Sequence, residues 1–389
     1  MTARSSRPKR LSWSEVCARR LARHALSTPA QNARPADIVA AIGGAHAQVL
    51  SAAELSIAIR ATGLCRSDIR DALWSERTLV KTFGPRGTVH LLATRDLPVW
   101  TAALSAIPHP SNSLPIDARL TREQTEEVVE AIAAAVADVT LTIDELDEAI
   151  LSRTGTWAGD LVTPAFRGMW PRWRQALGVA GNRGAVCFGP NQGRKVTYTS
   201  PQRWLPGLEA ADPQDALTAI VRRYLHAYGP ATPQQFAQWL AAPRRWAVQL
   251  FDSLSDQLEQ VEVDGTIASV IAGDTTPDPL TPGVRLLPYF DAYTVGCHPR
   301  PLLFPGVAAG RALSRGQAGN LPVLLIDGTV AGIWHQRRSA GGLEIVVEPF
   351  VPLTTAQRDG LDDQAARIGE ILAADHHLTI GVVTVAHHA

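Results

Sequence analysis

Apolar and polar positions change period several times along the chain, and each change marks an element. LTREQTEEVVEAIAAAVADV (120–139) repeats apolar residues at helical spacing, with Thr121 placed as its cap. TIDELDEAILSRTG (142–155) does the same, with Thr142 and Glu145 spaced as a capping box and Gly155 after the end. TPAFRGMWPRWRQALG (163–178) opens on Thr-Pro and predicts a third helix, kinked or split at Pro171. AVCFGPNQGRKVTYT (185–199) then alternates as two strands around a Pro-Asn-Gln-Gly turn.

This order of three helices and a hairpin occurs three times. A later copy reads DPQDALTAIVRRYLHAYG, TPQQFAQWLAAP and PRRWAVQLFDSL, then LEQVEVDGTIASVI, a hairpin around Asp264–Gly265. The first copy is looser: SEVCARRLARHAL, PADIVAAIGG, SAAELSIAIRAT with Ser51 and Glu54 as a capping box, SDIRDALW, and the hairpin TLVKTFGPRGTVHLLA. From about 283 the pattern turns β-rich, with VRLLPYFDAY, LPVLLIDGTVAGIW and GLEIVVEPF, a helix near 354–374, and a last strand in HLTIGVVTV. The expected fold class is α+β: three tandem winged helix-turn-helix units and a β-rich C-terminal region. Its segments are 10–110, 115–204, 212–275 and 283–389. Tandem winged helices favour nucleic acid as the partner, although the same scaffold also docks proteins.

Composition first weakens that reading and then restores it. The 389 residues carry 37 basic and 37 acidic side chains, so net charge is zero. Residues 1–100, however, hold 15 Lys/Arg against 7 Asp/Glu, residues 101–150 hold 2 against 10, and residues 151–200 hold 7 against 1. Two basic segments flank an acidic one. No apolar run approaches the roughly 18 residues of a membrane helix. No apolar signal core follows the basic N-terminus, so a cytoplasmic location is expected. Cys17, Cys65, Cys187 and Cys297 are scattered without a CxxC pair, which argues against a disulfide framework and a cysteine zinc site.

The chemistry-bearing candidates follow from these placements. In GGAHAQVL (43–50), His46 and Gln48 sit one residue apart, so an extended segment puts both side chains on one side. They either hold a water together or satisfy loop backbone groups. Lys81 and Arg86 lie on the first hairpin, with Arg86 at a Gly-Pro-Arg-Gly tip, and Arg167, Arg172, Arg174, Arg194 and Lys195 cluster in the second basic segment. All are candidate phosphate contacts, as is Arg300. Trp170 and Trp173, three apart, read as core rather than base-stacking residues. His90, Asp291 and Tyr293 are candidates for supporting an active site; a core histidine and a turn cap in a buried ion pair are the alternatives. No Walker loop, GxSxG or HExxH occurs.

GAHAQ, RTLVKTFGPRGTVHLL, RYLHAYGPATPQQFAQW, LLPYFDAY and GTVAGIW stand in the order seen in the AlkZ-like DNA glycosylases. The resemblance covers roughly residues 10–370. It implies a C-shaped body holding double-stranded DNA that carries alkylated purines. The implied reaction is excision of bulky N7-alkylated guanine adducts, in some members for self-resistance to a DNA-alkylating antibiotic. The family's catalytic Gln–apolar–Gln or Gln–apolar–Asp motif falls on His46–Ala47–Gln48. His46 departs from the commoner pattern and resembles a His–apolar–Gln subgroup linked to intercalating alkylators. Neither metal nor other cofactor is expected, and the chain is expected to act as a monomer. A non-enzymatic DNA-binding regulator or adduct-sequestering protein is the alternative.

Overall fold

The computed structural model describes residues 7–108, 114–165, 168–276, 278–339 and 341–385. The chain divides into two compact units, residues 1–70 with 221–239 and 244–389, and residues 71–220 with 240–243. These units cut across the stretches 10–110 and 212–275 that the sequence pattern marks out.

The unit built on 71–220 has one core. Helices Arg122–Val136 and Ile143–Thr154 both start in capping boxes, Thr121 with Gln124 and Thr142 with Glu145. Helix Arg174–Asn182 packs against them, and Val128, Ile132, Leu146, Ile150, Trp173 and Leu177 close around each other and around Phe188. Strands Cys187–Gln192 and Lys195–Thr199 pair antiparallel, and Leu141–Thr142 adds an edge. The hairpin Leu79–Phe83 with Val89–Ala93 sends Phe83 into the same core. A Cβ at Gly181 would lie 2.2 Å from the Phe83 ring, so only glycine lets helix and hairpin approach this closely.

The helix expected from Thr163 is a correction. Leu161–Pro164 and Met169–Pro171 instead form a short antiparallel ribbon, and the helix begins only at Arg174. The cause is proline chemistry: residues preceding Pro164 and Pro171 are pushed out of the helical region, and Pro171 has no N–H to give. Trp173 is fully buried, as expected, and donates to Asp147 Oδ1 at 2.6 Å. Trp170 is 44 % exposed and is not core.

In the other unit, helix Trp13–Arg23 is capped by Ser12 and Glu15. Strand Lys9–Leu11 lies parallel to Leu258–Val263, which pairs antiparallel with Thr266–Ile271 through the predicted Asp264–Gly265 turn, both residues at positive φ. The β-rich tail is a five-stranded sheet in the order Val284–Leu287, Val323–Ile326, Thr329–Ser339, Gly342–Pro349, His376–Ile380. Its last pair is parallel, as the crossover through helix Thr355–Leu372 requires. The capping box expected of Ser51 and Glu54 does not form. The helix begins at Leu50, and the Glu54 carboxylate, 1 % exposed, accepts from Arg66 Nε and Arg70 Nε at 2.7 Å each. Two charged donors hold it better than one amide would. Among the described residues no helix is long and apolar enough to cross a membrane, and no cluster of three His, Cys, Asp or Glu could hold a metal ion.

Candidate active site

Helix Pro35–Ala41 ends at a double glycine. Gly43 and Gly44 take φ of +69° and +102°, a region glycine enters without steric cost. Their N–H groups bond back to the Ala40 and Val39 carbonyls at 3.3 and 2.9 Å. The Tyr228 hydroxyl donates to the Ile42 carbonyl at 2.6 Å and fixes this corner. The chain leaves it extended through Ala45–His46. Ala45 and Ala47 are 1 % and 0 % exposed, so alternation turns His46 and Gln48 together away from the core. His46 is half-buried and Gln48 exposed.

One wall of the His46 site is aromatic. The Phe290 ring stacks on the imidazole, with centroids 4.6 Å apart and planes 28° from parallel. Phe290 sits at φ +54°, a left-handed conformation that costs a bulky residue on the order of 1–2 kcal/mol. Two features hold it there. Its N–H donates to the Gly319 carbonyl at 2.9 Å, and a Cβ at Gly319 would lie 3.1 Å from the Phe290 Cα, so a side chain at 319 would crowd the contact.

The second feature is the residue that follows. Asp291 is fully buried; its Oδ1 accepts from Arg60 Nη2 at 2.8 Å and Tyr293 N–H at 2.9 Å, and its Oδ2 accepts from Arg60 Nη1 at 2.8 Å and the Ser56 hydroxyl at 2.7 Å. Burial alone would raise the carboxyl pKa, but Arg60, Ser56 and Tyr293 together hold it below the usual range. The first helix after Gln48 supplies Ser56, and Arg60 follows one turn on, so the segment carrying His46 and Gln48 also grips the chain that carries Phe290. Sequence reasoning singled out Asp291 but missed Phe290, Ser56 and Arg60. The spacing of Ser56 and Arg60, four apart, was the available signal. Tyr293 is buried, its hydroxyl donating to the Gly328 carbonyl at 2.9 Å, and it supports this anchor from within the core.

The expected phosphate contacts divide. Arg86 is half-buried at the tip of its hairpin at φ +63°. Beneath it the His90 Nδ1 pairs with the Thr88 carbonyl at 2.9 Å, which makes His90 a strut of the tip. Lys81 is half-buried with its ammonium 5.1 Å from the Phe188 ring centre, and burial lowers its pKa. Arg172 donates to the Asp117 carbonyl and to Asp160. Arg174 stacks over Trp170 and Trp173 at 4.8 and 5.7 Å. Lys195 meets Asp144 in a pair 60 % and 64 % exposed, and Arg194 is exposed in the adjoining turn. Arg300 directs its guanidinium to the carbonyls of Thr294, Val295 and Cys297, closing the short helix Ala292–Gly296. Arg167 lies outside the described residues.

Known proteins are similar to this chain in sequence and in fold. Residues 39–371 match the DNA glycosylase AlkZ-like family. The chain is 29% identical over 388 residues, 92% of this chain and 95% of the relative, to an interstrand DNA cross-link repair glycosylase of Streptomyces sahachiroi. The solved structure of the Streptomyces sahachiroi DNA glycosylase AlkZ matches with a TM-score of 0.78 at 27% identity, over 96% of this chain and 100% of that one. The mixed α+β chain is therefore an enzyme, a DNA glycosylase. It belongs to the AlkZ-like DNA glycosylase family.

Proposed function

We propose that the chain hydrolyses the N-glycosidic bond of bulky N7-alkylated guanine in duplex DNA, with His46 and Gln48 holding the attacking water. The observation that supports this reading is the alternation around buried Ala45 and Ala47, which presents both side chains on one face, with His46 flat against Phe290. Alkylation at N7 makes the base cationic and already a good leaving group. The C1′–N9 bond breaks with its electron pair passing to the base, which departs neutral, while charge develops on the sugar as in other glycoside hydrolyses. The Gln48 amide can both accept from and donate to a water, and the neutral His46 imidazole accepts the proton as the water oxygen bonds to C1′. The products are the free adducted base, an abasic sugar and one proton.

Arg86, Arg174, Arg194 and Lys195 are the proposed phosphate contacts. The exposed Lys195–Asp144 pair is worth little, so a phosphate can replace the carboxylate. A crosslink joined through alkylated purines offers the same leaving base, and the His–apolar–Gln form of the motif supports protection of a producing cell from its own alkylating product. The test is single-turnover base release from duplexes carrying one N7-alkylguanine or one crosslink. His46→Ala and Gln48→Ala should each slow release by about 10²-fold, and the double variant should lose little more, because both act on one water. Duplex affinity should survive. Wild-type rates in both single variants would refute the assignment.

A further inference from the structure

Away from His46, the unit that contains helix Trp13–Arg23 encloses a cavity of about 250 Å³. That is far more than one water needs. Its walls are mostly apolar, with Trp13 and Leu302 among them, and two buried nitrogen bases line it, Arg20 and His298. Arg20 is 1 % exposed. Its Nε and Nη2 donate to the Gly229 and Pro230 carbonyls at 3.4 and 3.0 Å, while Nη1 is buried with no hydrogen-bond partner among the described residues. Among the described residues no carboxylate forms an ion pair with it. Its guanidinium lies 5.3 Å from the centre of the Trp13 ring, which attracts the cation without neutralising it. His298 is 5 % exposed, and burial together with Arg300 and Arg20 depresses its pKa to about 3, so it is a neutral imidazole at physiological pH.

A buried guanidinium without a counter-charge, keeping one unused donor, is costly in a folded protein. A ligand that enters an apolar cavity and brings an anion to that donor removes the cost. We infer that this cavity binds a small monoanion with an apolar body, an aromatic or branched carboxylate, whose carboxylate meets Arg20 and His298 while its hydrocarbon lies against Trp13 and Leu302. The inference is independent of the glycosylase reading. Asp264 also lines the cavity, but it is exposed, so water screens its repulsion.

Benzoate is the probe, titrated calorimetrically into the full chain at fixed ionic strength, with benzamide and chloride as controls. Saturable binding is expected, with benzamide weaker by about tenfold or more because it lacks the charge. Arg20→Gln should abolish binding. Because that change also disturbs the bonds to the Gly229 and Pro230 carbonyls and can harm folding, Thr266→Trp is the second variant. Thr266 lines the same cavity and is exposed on its strand, so an indole there blocks entry with little effect on the fold. It should weaken benzoate by about tenfold or more. Equal binding of benzoate and benzamide, no saturable benzoate binding, or undiminished binding in a folded Thr266→Trp variant would each overturn the proposal.

Discussion

Replacing Asp291 by asparagine tests the anchor behind the His46 site, and the structure supplies the magnitude. Four donors converge on the carboxylate, two from Arg60, one from Ser56 and one from the Tyr293 backbone. Asparagine keeps one acceptor oxygen and so can serve two of them. Its amide turns donors toward the other two. Hydrogen bonds to a charged group contribute about 1.5–3 kcal/mol each, so losing two costs about 3–6 kcal/mol. A second route gives a similar figure. Both partners of the Arg60–Asp291 pair are 0 % exposed, and breaking a buried pair by removing one charge costs about 3–5 kcal/mol. The expected loss is therefore about 4 kcal/mol, a large share of a typical domain's stability.

Urea unfolding followed by circular dichroism measures the loss. Excision is read under conditions where the variant remains folded. It should fall as well, because the Asp291 anchor is one of the two features that hold Phe290 against His46. Ser56→Ala removes one bond to the carboxylate and should cost about 2 kcal/mol. The double variant Arg60→Met/Asp291→Leu replaces the pair with apolar groups and should recover much of the loss, since a buried pair often stabilises no more than hydrophobic residues of similar volume. A cost below about 1 kcal/mol for Asp291→Asn, or a double variant no better than the single, would refute the reasoning.

Arg86→Ala should weaken duplex binding by about 1 kcal/mol and flatten its salt dependence; Arg86→Gly, which also relieves the positive φ, should bind equally weakly. Gly84→Ala should cost about 1–3 kcal/mol in unfolding experiments, because the new Cβ would lie 2.8 Å from the His90 ring, which its bond to Thr88 holds in place. Acid should destabilise the fold before carboxylates titrate: burial depresses the pKa of both His24 and His298 from 6.5 to about 3. The unfolded chain therefore takes up protons that the folded chain refuses. This stability is complete above about pH 6.5 and falls below it by about 1.4 kcal/mol per pH unit for each histidine. Unfolding free energies flat between pH 7 and 5 would count against it.

What the sequence could disclose was local. The cap at Thr121, the capping box at Thr142, the Asp264–Gly265 turn and the double glycine before Ala45 involve residues within a few positions of each other, and each formed where its spacing placed it. The failures were also local rules, overruled by something distant or stronger. Ser51–x–x–Glu54 has the spacing of a capping box, yet two arginines 12 and 16 residues further on claim the carboxylate. Thr163–Pro164 has the look of a helix start, yet the second proline at 171 leaves too short a run to repay nucleation.

The candidate site shows the same division more sharply. His46 and Gln48 could be paired on paper because strand alternation spans only two residues. Their surroundings could not, because Ser56 and Asp291 meet across 235 positions and Arg60 and Asp291 across 231. No periodicity reaches that far. What did survive in the sequence was a demand without its answer: a carboxylate at 291 just beyond an apolar strand, and an arginine at 60 just past the helix Leu50–Ala58. Buried charges occur almost only in pairs, so each of these residues called for a partner of opposite sign. Phe290 directly precedes Asp291, takes a left-handed backbone conformation and stacks its ring against His46. The buried pair therefore acts on position more than on stability: apolar residues of similar volume could fill the core as well, but the pair holds the segment that sets an aromatic wall beside the proposed water-holding residues.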